Sequence, residues 1–304
     1  MAEENNCHFV SSRGILKSCD IYSLNPISSD IYVRNYNKDL LDNNNNNSVI
    51  YVCNRAIPYF INAFKIDYKY ILVSGDADET MPYNIFDSED DLLNFLNNPN
   101  LIHWYSQNCV INHPKITKMP IGLDYHSLSR ASFGWGSQST PIEQEKTFME
   151  IINSNIETPF WKRQIKCYMN FHFSTFFGYK YFHVRVDAIN TIPKELVFYE
   201  ENKITRYETH INQCKYAFVL SPPGNGLDCH RTWEALILGC IPIVRTSGID
   251  SLYDELPVLI VKEWSDITYE LLERTILEFK TKVFNYDKLT LKYWTDKFNS
   301  HKEV

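Results

Sequence analysis

The chain has 304 residues, enough for two modest domains or one large one, and its 44% hydrophobic and 14% aromatic content can fill sizeable cores. A net charge of -7 and a pI near 5.7, with no long basic run, argue against nucleic acid or an anionic membrane as main partner. The start Met1-Ala2-Glu3-Glu4-Asn5-Asn6 is polar and acidic, unlike a signal peptide, and the longest apolar run, Ala235 to Val244, is far below the roughly 20 residues of a membrane span. The expectation is a soluble, cytoplasmic protein. Eight cysteines are scattered without a Cys-x-x-Cys pair, and Cys53, Cys167, Cys214 and Cys240 sit in apolar runs, so they read as reduced, buried thiols.

Residues before Ile50 show little periodicity. Short strand-like pieces at His8 to Val10 and Asp30 to Val33 precede the asparagine tract Asn43 to Asn47, which reads as an exposed loop. Then a regular pattern begins. Val49 to Cys53 reads as a strand and Ile57 to Ile66 as a helix, with Pro58 tolerated in its first turn. Tyr68 to Val73 reads as a strand ending in Ser74-Gly75-Asp76-Ala77-Asp78. Ser88 can cap a helix to Leu96, with Glu89, Asp90 and Asp91 well placed at its positive end. Leu101 to Tyr105 and Ile116 to Ile121 read as further strands.

Gly134 to Ser139 reads as a linker, and Thr140-Pro141-Ile142-Glu143 as a capping-box start of a helix to about Ile152. A second alternation follows: strand Ile165 to Phe171, helix Phe182 to Asn190, strand Leu196 to Tyr199, helix Tyr207 to Gln213, strand Tyr216 to Leu220. After a glycine loop and a short helix come strands Ile241 to Val244 and Val258 to Val261, then helices Ile267 to Lys282 and Asp287 to Phe298. Two alternating series meeting near residue 140 predict α/β architecture: two Rossmann-like domains, 1–139 and 140–304, facing a central cleft. In such sheets ligands lie beyond the carboxyl ends of the strands.

The stretch Ser221-Pro222-Pro223-Gly224-Asn225-Gly226-Leu227-Asp228-Cys229-His230-Arg231 is the most informative. Gly224 and Gly226 let the backbone bend and approach a ligand closely. Asp228 is placed to cap the helix that follows, which puts His230 and Arg231 in its first turn. Cations there oppose the helix dipole unless an anion sits opposite. Free amides, a positive dipole end and a guanidinium together make a phosphate site. Glu234 lies among apolar neighbours and needs a partner. Arg231, one turn back, is one candidate, and a ribose diol beside the phosphates is another.

The order Pro, Gly, small loop, Arg231-x-x-Glu234-Ala235-Leu236, Gly239-Cys240, Ile241-Pro242-Ile243-Val244 resembles the donor motif of exostosin-type GT-B glycosyltransferases. The likeness is dense over Phe218 to Val244. A weaker one, to the acceptor half of such enzymes, covers Lys115 to Asp124. The resemblance implies that Arg231 faces the diphosphate of a nucleotide sugar and that Glu234 faces the ribose; the expected donor is a UDP-sugar. From the residues themselves, Ser221, Pro222, Gly224, Asn225, Gly226 and His230 are read as the rest of the same donor site. The acceptor would be a hydroxyl of a glycan or glycoprotein, held by the first domain. The resemblance also implies that the last helix packs back on the first domain, and that neither a cofactor nor a metal is needed.

An inverting transfer needs a base for the acceptor hydroxyl. Asp124 is first choice, His126 second and Asp78 third, all near strand ends on the first-domain side. Asp76-Ala77-Asp78 also fits a divalent-cation site, a capping turn or an acceptor contact. His103-Trp104-Tyr105 and Asn170-Phe171-His172-Phe173 suit sugar or base stacking, or plain core. Arg185 reads as a second cleft cation or a surface residue. The rival classes are a non-catalytic nucleotide- or glycan-binding protein of the same fold, and a nucleotide-sugar epimerase or phosphorylase.

Overall fold

The computed structural model describes residues 3–32, 36, 41, 47–171 and 180–302. Val33, Asn43 to Asn46, His172 and Phe173 lie outside them. The described residues form two parallel sheets, the α/β class that the alternation implies. The first contains β1 (Ser48–Cys53), β2 (Tyr70–Gly75), β3 (Leu101–Gln107) and β4 (Ile116–Met119), in the order β1-β2-β3-β4. The second contains β5 (Gln164–Tyr168), β6 (Val197–Phe198), β7 (Tyr216–Leu220), β8 (Ile241–Arg245) and β9 (Leu259–Val261), in the order β6-β5-β7-β8-β9. Every residue of β2 and of β7 is buried, which is why both read as continuous apolar runs rather than alternating ones.

The second sheet reverses its direction of growth. β6 lies on one side of β5, and β7 to β9 extend from the other. The reversal leaves a crevice beyond the carboxyl ends of β5 and β7, the place where open α/β sheets bind ligands. Phe171 follows β5 there, and Ser221 follows β7. Among the described residues the first sheet has no such reversal, since Ile21 bridges Ile50 and so continues the same order outside β1.

Local chemistry sets most helix starts as expected. Ser88 Oγ accepts from Asp91 N, and the Thr140/Glu143 capping box opens helix Pro141–Ser154. Other boundaries move. The helix after Pro58 ends at Ala63 rather than Ile66, and the last helix is Leu291–Ser300, preceded by a 3-10 turn at Tyr286–Leu289. Helix Ser12–Lys17 arises where strand-like or irregular structure is expected. Ser11 Oγ caps it at Gly14 N, and Ser12 to Leu16 are all buried in it. His126–Arg130 is a further short helix.

Among the described residues, one core cluster lies on the first sheet, two lie on the second, and a fourth crosses between the sheets. The crossing cluster joins Val10, Tyr51, Val73, Tyr105 and Met119 to Trp233, Leu236, Tyr253 and Trp294. Helix Leu291–Ser300 lies on the first sheet: Tyr105 Oη donates to Lys297 O (3.0 Å) and His103 stacks on His301 at 4.3 Å. All eight cysteines are free. Among the described residues, no helix is long and apolar enough to cross a membrane.

Candidate functional site

The glycine loop leaves β7 at Leu220. Ser221 N donates to Ile243 O (2.9 Å), and its buried hydroxyl lies 2.8 Å from Thr232 Oγ1. Ser221 therefore roots the loop on helix His230–Ile237. Gly224 N closes a turn on Gly226 O (3.0 Å), with Asn225 exposed at the tip. Gly226 presses on the first sheet's loops. A Cβ there would sit 2.8 Å from Asn108 Nδ2, so this close approach requires glycine. Asn225 hydrogen-bonds the Asp78 carboxylate across the same seam.

Asp228 does not cap the helix. The N-cap is Cys229, without a side-chain cap bond. The Asp228 carboxylate is buried instead. It accepts from Trp233 Nε1 (2.8 and 3.0 Å), Ile121 N (2.7 Å) and Tyr253 Oη (3.3 Å), while Asp228 N donates to Asn108 Oδ1 (2.9 Å). A buried indole N–H and a backbone amide just beyond β4 outcompete the cap. Burial pushes its carboxyl up to about 6 against the pull of these donors. No N-cap side chain therefore meets the positive end of the helix dipole at this first turn.

In that turn, His230 Nδ1 donates to Gly122 O (2.7 Å), so in the neutral ring Nε2 carries the lone pair. Arg231 Nη1 donates to Pro222 O (3.2 Å), and its guanidinium lies 5.5 Å from the centre of the Phe171 ring. Arg185 approaches the same ring at 5.9 Å and donates from Nε to Pro223 O (3.0 Å), which places it in the cleft rather than on the outer surface. Phe171 is thus a platform at the crevice.

Glu234 is not paired with Arg231. Its Oε1 accepts from Arg206 Nη2 at 2.6 Å, and its Oε2 lies 3.6 Å from His210 Nε2. Arg231 is committed to Pro222 and Phe171, whereas helix Arg206–Gln213 presents Arg206 and His210, one turn apart, to the same carboxylate. Burial pushes Glu234 up, but Arg206 and His210 outweigh it and hold the carboxyl well below its usual range. Arg206 also donates from Nη1 to Asp124 O (2.8 Å) and lies 5.2 Å from the Trp135 ring.

Asp124 and His126 are brought together beside this pair. Asp124 Oδ1 accepts from Ser127 N (3.0 Å) and lies 3.0 Å from His126 Nδ1, without hydrogen-bond alignment. Burial pushes Asp124 up, but His230, His126 and Arg206 outweigh it and bring it to about 2. Burial pulls His126 down to about 4 despite Asp124. At neutral pH Asp124 is therefore ionised and His126 is neutral.

Asp76 has a different job from Asp78. It is buried, with Oδ2 3.0 Å from Arg13 Nη2 and Oδ1 accepting from Ser28 Oγ (2.9 Å). Asp78 lines a cavity of about 580 Å³ with Ser29, Arg55, Asn84, Lys180 and Asn225. Burial raises the Asp78 carboxyl in spite of its bond from Asn225. Among the described residues, no group of three His, Cys, Asp or Glu side chains is placed to hold a metal ion. Trp104 and His103 belong to the core and to the seam with the last helix, away from the crevice: Trp104 Nε1 donates to Ser74 Oγ (2.8 Å).

Sequence reasoning missed Arg206, His210, Arg13 and Asn108. The Thr205/Glu208 capping box was readable and would have started that helix at Arg206, but its target on Glu234 is 28 residues away in sequence.

No family model and no curated protein matches the chain. Among solved structures it is similar to an α1,3-fucosyltransferase, at 14% identity, covering 86% of this chain and 79% of that one with a TM-score of 0.41. An α1,3-fucosyltransferase with GDP-fucose gives 12% identity, 97% and 96% coverage and a TM-score of 0.39. The N-terminal domain of Candida albicans trehalose-6-phosphate phosphatase gives 9% identity, 88% and 74% coverage and a TM-score of 0.41. Likenesses this remote carry no inference about this chain.

Proposed function

We propose that the chain is a GT-B-type glycosyltransferase. It takes a sugar from a nucleotide diphosphate donor, with a UDP-sugar the first to test, and places it on a hydroxyl of a glycan or glycoconjugate. The observation that carries this reading is Arg231. It is a partly buried cation in the first turn of a helix without a side-chain cap, behind a glycine loop, at the crevice where the second sheet reverses. Burial holds its pKa below the usual value, so an anion is the natural partner.

In this reading Arg231 and the helix amides stabilise the departing diphosphate, where negative charge grows in the transition state. Ser221, through Thr232, fixes the loop, and Pro222, Gly224, Asn225 and Gly226 wall the donor side. His230 offers Nε2 to the cleft. Glu234 keeps lone pairs for a ribose hydroxyl beyond those given to Arg206 and His210. The diphosphate charge is met by Arg231 and helix amides, so no metal enters the scheme.

The base assignment shifts within the three candidates. A general base works best with a pKa near the operating pH. Asp124, at about 2, and His126, at about 4, are weak proton acceptors, and Asp124 serves better as an anchor for Arg206. Asp78 is raised, lines the 580 Å³ cavity and touches the donor loop through Asn225. We assign it the proton of the acceptor hydroxyl.

Calorimetric titration with uridine and guanosine diphosphates tests the reading. Arg231→Ala should weaken the bound nucleotide about tenfold or more, the loss expected of one charge-assisted contact. Asp78→Asn should keep that affinity and lose turnover by about 10²–10⁴-fold. Unchanged affinity in folded Arg231→Ala overturns the donor site. Binding without turnover on any acceptor would make the chain a non-catalytic binding protein.

A further inference from the structure

We propose that the open cavity of about 260 Å³ at the joint between the two sheets is a second anion site, one that takes the phosphate group of a small hydroxylated phosphomonoester. It shares no lining residue with the 580 Å³ cavity at Asp78 and does not include Arg231, so it does not depend on the donor reading. Three parts of the chain wall it. Strand β4 and the residues before it bring Asn112 and Lys118. The 3-10 turn Asp250–Tyr253 and Glu255 come from the second sheet. Lys288, Tyr293 and Lys297 come from the C-terminal segment that closes on both. Three ammonium groups therefore meet in a chain whose net charge is -7. Ion pairs are made by Lys17, Lys292 and Lys302, whereas among the described residues Lys118, Lys288 and Lys297 have no carboxylate within ion-pair distance.

Lys118 Nζ gives its protons to Asn112 Oδ1 (2.9 Å), Gly248 O (2.7 Å) and Ser251 Oγ (2.9 Å). Buried Lys288 Nζ donates to Leu252 O (3.1 Å) and Asp254 O, which leaves it one N–H. Both heads are thus held along one turn, at the neighbouring residues Ser251 and Leu252. Lys297 is different. Its ammonium lies 4.9 Å from the centre of the Tyr293 ring and 5.9 Å from that of Trp294, and no protein acceptor among the described residues takes its protons. Burial lowers the Lys288 pKa and Lys297 adds to that, while Glu255 and Asp254 oppose it. An anion between the ammonium groups relieves the repulsion. Three lysines against one acid, Glu255, leave the lining with a net charge of +2, which matches a phosphomonoester dianion. Ammonium groups bind phosphate as point charges, without needing a fork. At roughly 30 Å³ of liquid per water, the space is more than one oxyanion fills. Glu255, held at φ +66° with Asn285 N on its carbonyl (2.9 Å), offers a carboxylate to the hydroxyls of the ester's body.

Glycerol 3-phosphate and inorganic phosphate are the probes, titrated into the whole chain by calorimetry near neutral pH. Glycerol 3-phosphate should bind more tightly than phosphate, and it should raise the melting midpoint, since its site draws on both sheets. Lys297→Gln should weaken it about tenfold, the loss of one charge-assisted contact, and leave any uridine diphosphate binding untouched. Lys297→Arg keeps the charge and should retain most of the affinity, which preserves the test if Lys297→Gln does not fold. Arg231→Ala should leave glycerol 3-phosphate bound. No binding of either probe, unchanged affinity in folded Lys297→Gln, or binding lost in Arg231→Ala but kept in Lys297→Gln overturns the proposal. Inorganic phosphate bound as tightly as the ester overturns the assignment of a phosphomonoester. Nucleotide binding in the Arg231 crevice stands or falls independently of every one of these outcomes.

Discussion

Glu234 shows how one side chain can answer to two roles. Its side chain is 13% exposed, and both of its protein partners come from one helix. Removing one member of a buried pair leaves the other uncompensated, at a cost of roughly 3–5 kcal/mol. Glu234→Gln keeps the shape and one acceptor oxygen, so the loss should be smaller, on the order of 2 kcal/mol, as for a hydrogen bond to a charged group. If the ribose contact is real, nucleotide affinity falls as well. Thermal melts and titration of the same variant separate the two roles. A lowered melting temperature with unchanged affinity would leave Glu234 purely structural. The depressed carboxyl adds a pH signature: its stabilisation is present above the unfolded value near 4.5 and is lost as pH falls through the much lower folded value.

At the scale of the element, the glycine loop is a strap between two sheets rather than a free phosphate finger. Asp228 anchors it by taking Ile121 N from beyond β4 and Trp233 Nε1 from its own helix. The loop's position after a buried strand was legible, because Tyr216 to Leu220 form an apolar run and glycines follow. The role of Asp228 was not, because an aspartate before a helix looks like a cap whenever its distant competitors are invisible. Arg206 escaped for the same reason. Local signals such as Thr140/Glu143 survived because both partners lie within one turn. Helix Ser12–Lys17 was hidden by a glycine in its middle and is held by burial against Leu291 and other distant residues. The buried strap has a measurable consequence. The raised carboxyl of Asp228 favours the folded state below the unfolded value near 3.8, and that advantage is lost as pH rises through about 6. Asp228→Asn removes the titration, so its stability relative to the wild-type chain should rise between pH 4 and pH 7. The shift should be on the order of 2–3 kcal/mol. Urea unfolding at both pH values measures it, and parallel pH slopes in the two proteins would show that Asp228 is not buried as a strap.

For the whole molecule, the question is whether the two sheets behave as two domains or one. Parallel sheets with separate cores invite the first answer, yet the contacts across the seam are of interior kind. The crossing cluster carries Trp233, Tyr253 and Trp294, and the residues around Val10 thread the seam, with Val10 N bonded to Leu289 O and Val10 O to Leu123 N. Gly122, at φ +65°, sits so close that a Cβ would lie 2.4 Å from Val10 O. Gly248 is pressed equally hard on Val110, and Lys118 Nζ reaches Gly248 O (2.7 Å) and Ser251 Oγ (2.9 Å) across the same joint. Exposing this seam would uncover large aromatic surface, at about 25 cal/mol for each Å², so neither sheet should be stable with its partner unfolded. Scanning calorimetry of the whole chain is therefore expected to show one transition, with calorimetric and van 't Hoff enthalpies in agreement. Gly248→Ala, which forces a Cβ against Val110, should lower the midpoint of that one transition without splitting it. Two resolved transitions in the wild-type chain, or a Gly248→Ala profile in which one part melts while the other keeps its midpoint, would show that the seam is a docking surface between independent domains, and the cleft would then be free to open around a hinge.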